Sequence, residues 1–221
     1  MKRVIIYCEG PSEETFINRI LAPALISFDV YITATSFGGV SKYSIIRKKL
    51  QNLCRSDRSA IVTTMLDYYG LPQDTPGYKV SKDKETDIYD RVEYVEQKMQ
   101  DDISESNFLP NLVMHEYEAL LFSDVQAFSY CALSDRQLSE LKSIQQAYPT
   151  PEHINNSPNT APSKRILRIY ADYDKVLDGY NIAQNIGLER IRKQCRHFDR
   201  WIQKIEHVSM TRVGNCTDEI G

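Results

Sequence analysis

The sequence predicts an α/β fold: a doubly wound, mostly parallel sheet with a helical C-terminal extension. Three observations carry that expectation. Short apolar runs rich in β-branched residues, at 4–8 and 60–66, read as strands buried on both faces. The first two predicted strands are each followed by a turn and an amphipathic helix, and the third by a long loop and a polar helix, the order that builds parallel sheets. From Ser163 to His207 the apolar spacing is helical throughout.

The elements follow in order. Val4, Ile5, Ile6, Tyr7 and Cys8 form the first predicted strand, stopped by Gly10 and Pro11. Ser12 is placed to cap a helix, and Glu13 and Glu14 suit the positive end of its dipole. Phe16, Ile17, Ile20, Leu21, Ala24 and Leu25 recur at helical spacing, with Pro23 expected to kink or end the helix. Residues 30–37 predict a second strand, Gly38 and Gly39 a turn, and 41–53 an amphipathic helix. The third strand, 60–66, ends at Asp67. Residues 68–85, rich in Gly, Pro, Asp and Lys, predict a long surface loop. A polar helix at 86–104, a fourth strand at 109–114 and a short helix at 115–122 follow. Another helix is expected at 134–147, a loop at 149–162, then the helical segment, and a frayed tail from 209. The expected division is an α/β core at 1–125, a helical region at 126–208 packed on it, and the tail at 209–221.

Composition narrows the function classes. Of the 221 residues, 42% are hydrophobic and 26% charged, which excludes wholesale disorder. A net charge of −3 excludes a globally basic nucleic-acid coat. No apolar run approaches the ~18–20 residues that span a bilayer, and the first apolar run is too short for a signal-peptide core. Five cysteines, odd in number and without a CxxC pair, point to a reducing, cytoplasmic setting. Charge is unevenly spread: residues 83–124 carry a net −9 and residues 163–207 a net +4. The first zone can concentrate divalent cations and the second can hold a polyanion; solvated helix faces are the plainer reading of both.

In an open parallel sheet, ligands bind beyond the carboxyl ends of the strands. Glu9 ends the first predicted strand, Asp67 the third, and Glu116 lies just past the fourth. Gathered at one rim, such carboxylates repel one another unless a cation compensates them. Hard oxygen donors of this kind suit Mg²⁺ or Mn²⁺, which can activate water and neutralise phosphate charge. Lys164 and Arg165 stand at the head of the basic segment, where they could clamp a phosphate. Tyr68 and Tyr69 could stack on a base, or simply pack. Other motifs fail. His115-Glu116 is followed by Ala119, so HExxH is absent, and there is no Walker A, GxGxxG or G-x-S-x-G. Cys195 and His197 have no partners at zinc-ligand spacing and read as core or surface residues.

Several blocks resemble a known family. Cys8-Glu9-Gly10-Pro11-Ser12-Glu13 after a first strand resembles the opening of Toprim domains. Thr63 to Pro72, the run His115-Glu116-Tyr117-Glu118-Ala119-Leu120-Leu121-Phe122-Ser123-Asp124, Pro162 to Arg165 and Ile186 to Glu189 resemble the DUF4276 group of Toprim-like proteins, over about residues 3–206. Toprim domains are Mg²⁺-dependent modules of topoisomerases, primases and OLD-type nucleases. The resemblance implies that Glu9 is a metal ligand or general acid/base and Asp67 the first aspartate of an Asp-x-Asp pair. Tyr69 stands where the second aspartate belongs, so Glu116 or Glu118 is the expected replacement. It implies a nuclease cleaving DNA or RNA with Mg²⁺ or Mn²⁺, an effector in anti-phage defence working beside an ATPase. Glu9, Asp67 and Glu116 would hold metal; Lys164 would act on the phosphate with Arg165; Gly10, Ser12, Glu13, His115 and Glu118 would support the site. The alternative is a catalytically inactive Toprim-like module of an ATPase, with Tyr69 marking lost metal chemistry.

Overall fold

The computed structural model describes residues 2–36, 38–39, 42–84, 86–154 and 160–210; the expected tail lies outside them from residue 211 onward. Strand β1 (Lys2–Cys8) is central, pairing in parallel with β2 (Val30–Ser36) on one side and β3 (Ile61–Asp67) on the other. β3 also pairs in parallel with β4 (Phe108–Leu109) and β5 (Leu112–Val113), so the order is β2-β1-β3-β4. Cys8 stands level with Ser36 and Met65, which brings the carboxyl ends of these strands to one rim.

The pleat sorts side chains onto two cores. Val4, Ile6, Cys8 and Met65 face one layer, with Phe16, Ile17, Leu21, Trp201 and Ile205. Tyr7, Val62 and Leu66 face the other, with Leu50, Val95 and Met99. Those last three come from α3 (Tyr43–Ser56) and α5 (Ile88–Ile103). Helices on both faces of a parallel sheet are the doubly wound arrangement expected, and explain why β1 and β3 lack a polar face.

The helices differ from expectation in instructive ways. α1 (Pro11–Phe16) begins at Pro11, so Gly10 rather than Ser12 is its N-cap. The chain then passes through a π-helical turn at Ile17–Leu21 into α2 (Ala22–Leu25), and Pro23 sits inside this continuous rod. The wider turn gives room to a ring that would otherwise meet the carbonyl four residues back. The expected loop at 68–85 contains α4 (Tyr78–Lys82). Tyr68 pins that helix down: its hydroxyl lies 2.7 Å from Ser81 Oγ and its ring packs edge-on against Tyr78. Tyr68 is therefore core, not a surface for stacking a base.

The fourth strand, expected as one run, is two dipeptides. Pro110 lacks the N–H a ladder needs, and Asn111 and Thr64 repair the gap. Thr64 Oγ1 donates to Asn111 O at 2.6 Å and accepts from Asn111 N–H at 3.0 Å, while Asn111 Nδ2 donates to Thr64 O at 3.0 Å.

Beyond Glu116 comes a 3₁₀ helix at Tyr117–Ser123 and another at Val125–Cys131. Then follow α6 (Asp135–Gln146), α7 (Pro162–Ile169), α8 (Leu177–Ile186), α9 (Leu188–Gln194) and α10 (Arg196–Met210). Ser134 caps α6 reciprocally with Gln137. Glu152 caps α10, accepting the N–H groups of His197 at 3.1 Å and Phe198 at 3.0 Å. α10 drives Trp201 into the sheet, where its indole N–H donates to Thr63 Oγ1 of β3 at 2.9 Å. Burying an aromatic ring of this size contributes roughly 3 kcal/mol or more. No helix among the described residues is long and apolar enough to cross a membrane.

Candidate functional site

Glu9 follows β1 directly, Asp67 is the last residue of β3, and Glu116 lies three residues past β5. The parallel sheet thus brings all three to its carboxyl-end rim. A backbone hydrogen bond from Asp67 reaches the Glu9 carboxylate, and both residues line one small crevice with Gly38, Gly70 and Pro72. A β-carbon added to Gly70 would sit 3.4 Å from Glu9 Oε2, so this loop runs close against that carboxylate.

Two more acids join them. Glu13 turns back from the first turn of α1, its Oε2 accepting Gly10 N–H at 3.0 Å. It is thereby held beneath the chain that carries Glu9. Glu118, in the 3₁₀ helix after Glu116, is buried. Glu116 itself is anchored across the rim, where its Oε2 accepts the N–H of Ser163 in the first turn of α7 at 3.0 Å.

Five carboxylates in one place change their own chemistry. Burial pushes Asp67 well above the carboxylate range, and the negative charges of Glu13, Glu9, Glu118 and Glu116 push the same way. Its Oδ1 is shielded from solvent and has no hydrogen-bond partner. Burial likewise raises Glu9, Glu13 and Glu118. Among the described residues, Lys175 answers them. It lies in the turn before α8 and reaches Glu118 Oε1 with its Nζ at 3.0 Å. Burial opposes its charge, but Glu118, Glu116 and Asp67 outweigh that and hold its pKa above the ordinary lysine value. Tyr173 adds a buried hydroxyl without a partner, raised first by burial and then by the charge of Glu118.

The other predicted residues are placed as follows. Lys164 is exposed in the first turn of α7, next to the Ser163 N–H that Glu116 accepts. Arg165 is engaged elsewhere: its Nε donates to Thr160 O at 2.6 Å and its Nη2 to the Tyr148 hydroxyl at 2.7 Å. Gly10 and Ser12 lie in the turn and first turn of α1. His115 takes a left-handed backbone (φ 67°) beside Glu116; it is buried, its Nδ1 has no partner, and burial lowers its pKa to about 4. It is therefore neutral near pH 7. Tyr69 offers its carbonyl to the Tyr78 hydroxyl at 2.9 Å. Cys195 and His197 are core residues, the first beside Ser123 Oγ at 3.4 Å, the second 3.1 Å from Glu96.

Lys175 and Tyr173 escaped sequence reasoning. They lie in the run Asp172-Tyr173-Asp174-Lys175, which has no periodicity, and Lys175 is one of ten basic residues in its segment.

The oxygen donors fit a hard divalent ion in kind, and the stranded Asp67 Oδ1 is an acceptor waiting for a positive partner. Among the described residues, no three His, Cys, Asp or Glu side chains already stand at coordinating positions. Binding a metal here calls for carboxylate rotation.

A parallel doubly wound sheet with acidic residues collected at its strand ends defines an α/β protein whose candidate site lies at the sheet's carboxyl rim. Residues 8–206 match the family described as "Domain of unknown function (DUF4276)", and the chain belongs to that family. No curated protein matches the sequence. Two solved structures of the C-terminal region of the Xanthomonas campestris pv. campestris OLD protein are similar in shape. The one phased with iodine is 16% identical, with a TM-score of 0.41, over 94% of this chain and 98% of that one. The one phased with mercury is 15% identical, with a TM-score of 0.41, over 95% and 97%. A likeness at this level says nothing about activity.

Proposed function

We propose that the protein is a nuclease that cleaves DNA or RNA phosphodiesters with Mg²⁺ or Mn²⁺. The observation that carries this reading is Asp67: a carboxylate with a buried, unpartnered oxygen among four other acids. Such a cluster is short of positive charge, and a divalent ion is the simplest supply. Glu9, Asp67 and Glu116 are the ligands. When bound, the ion supplies an activated water and neutralises charge on the scissile phosphate.

The remaining work belongs to the chain. Glu9, at the end of β1, manages the proton at its carboxylate. Lys164, exposed beside the rim, steadies the phosphate as a point charge. The basic faces of the C-terminal helices track the backbone of the substrate. An effector role in anti-phage defence, with an ATPase as partner, is part of the same proposal.

The test is cleavage of single- and double-stranded DNA and RNA with Mg²⁺ or Mn²⁺, comparing wild type with Glu9→Gln. The substitution is expected to lower the rate at least about 100-fold, the usual scale for losing a proton-transfer group. Equal cleavage by both proteins removes the assignment.

The Glu118–Lys175 ion pair favours a second reading, an inactive module regulated by a partner ATPase, because an ammonium already answers part of the charge. Calorimetry with Mn²⁺ separates the readings: heat of binding supports the nuclease, and none at millimolar metal supports the module.

A further inference from the structure

We propose that Lys175 is a built-in substitute for the divalent ion: it holds the acidic cluster together in the metal-free protein and gives way when metal enters. This deepens the reading above and rests on it.

Three observations meet at this residue. Lys175 Nζ lies 3.0 Å from Glu118 Oε1. Glu9, Glu13, Asp67 and Glu116 act electrostatically on the same ammonium, so one positive charge faces five carboxylates. The two partners are unequally held. The Glu118 side chain is 4% exposed, whereas that of Lys175 is 48% exposed and comes from the turn before α8. The carboxylate cannot leave, but the ammonium can swing into water on its flexible stem.

The stranded Oδ1 of Asp67 shows that the lysine does the task incompletely. A single ammonium offers three donors in one tight cone and cannot reach every oxygen of a rim built from three strand ends. A divalent ion takes six oxygens around itself. Metal entry is then an exchange of one cation for another. The carboxylates turn inward, Lys175 turns outward, and the displaced ammonium stays at the mouth of the site, where an anionic substrate must pass. Lys175 therefore sets the metal affinity as a positioning residue.

The measurement is Mn²⁺ titration by calorimetry on wild type, Lys175→Met, Lys175→Gln and Lys175→Arg, with melting curves in chelator and in Mn²⁺. An ammonium roughly 5 Å from a divalent ion repels it enough, even at water's dielectric constant, to weaken binding about tenfold. Both neutral variants should therefore bind Mn²⁺ about tenfold tighter than wild type. Lys175→Arg should bind as wild type does. In chelator the neutral variants should melt lower than wild type, and Mn²⁺ should restore them. A merely structural lysine gives the opposite sign, since its loss loosens the site and weakens metal binding. The neutral pair guards against one variant failing to fold.

The outcomes separate cleanly. If wild type binds Mn²⁺ and the neutral variants bind it no tighter, the substitution idea is overturned while the metal site stands. If only the neutral variants bind, the lysine is a permanent occupant that does not give way, and the exchange is overturned. If no protein binds, both the metal site and the substitution idea are lost.

Discussion

Asp67 is the residue on which structure and function pull apart. Its charged form is disfavoured by burial and by four neighbouring acids, so the folded protein holds a proton there more tightly than the unfolded chain does. Asp67→Asn removes that burden. Without metal, the variant is expected to melt about 2–4 °C higher, the response of a chain this long to roughly 1 kcal/mol. Mn²⁺ should no longer stabilise it, and cleavage should be lost. Scanning calorimetry with and without Mn²⁺ checks the pair of outcomes; a variant that melts lower contradicts the charge argument. This site was half legible in the sequence. Glu9, Asp67 and Glu116 could be found because a strand's end is recognisable and a parallel sheet aligns such ends. Glu13 emerged as a helix-dipole residue and, like Glu118, reached the site list only by resemblance. Lys175 could not be found, because a turn residue far along the chain leaves no periodic trace.

His197 is the second titrating residue of note. Burial opposes its charge, but the hydrogen bond and charge of Glu96 prevail and raise its pKa. A raised histidine binds its proton more firmly when folded, so stability is present in full below the ordinary value of about 6.5 and is lost as pH rises through the raised value. Glu96→Gln should flatten that loss. Denaturant midpoints from pH 6 to 8 should fall for wild type and change less for the variant.

Among the elements, the broken fourth strand shows what periodicity cannot convey. An apolar run at 109–114 reads as one strand, yet Pro110 divides it, and Asn111 with Thr64 makes the repair from side-chain atoms. Thr64→Val keeps the shape but leaves Asn111 N–H and O unpaired in a buried place. Each orphaned group costs about 1–3 kcal/mol, so a loss of about 3 kcal/mol is expected in urea unfolding. A loss under about 0.5 kcal/mol would mean that water reaches those groups. Pro23 carries the same lesson at a helix. Of the two outcomes expected at Pro23, a kink or an end, the helix does not end there: a π turn just before it makes room for the ring, and that turn has no signature in the residues themselves.

For the molecule as a whole, the parallel order and the two cores were legible, since strand–turn–helix repeats and twofold-buried strands leave a clear pattern. The way the C-terminal helices bind the sheet was not. α10 reads simply as amphipathic, yet it seats Trp201 against β3 while Glu152 holds its first turn. Trp201→Phe keeps most of the packing but strands Thr63 Oγ1 in the core, and should cost about 1–3 kcal/mol. Circular dichroism through a urea titration measures it.

The Trp201–Thr63 contact joins residues 138 positions apart. At about 5–20 residues per second, a ribosome needs roughly 7–28 s to travel from one to the other. Throughout that interval β3 has emerged without the indole that covers it, and the acidic rim at its end has no finished foundation. Nascent chains are thus incomplete at their centre until nearly all of this sequence has been made. An enzyme of the kind proposed would in that way stay idle on the polysome, beside RNA within its reach.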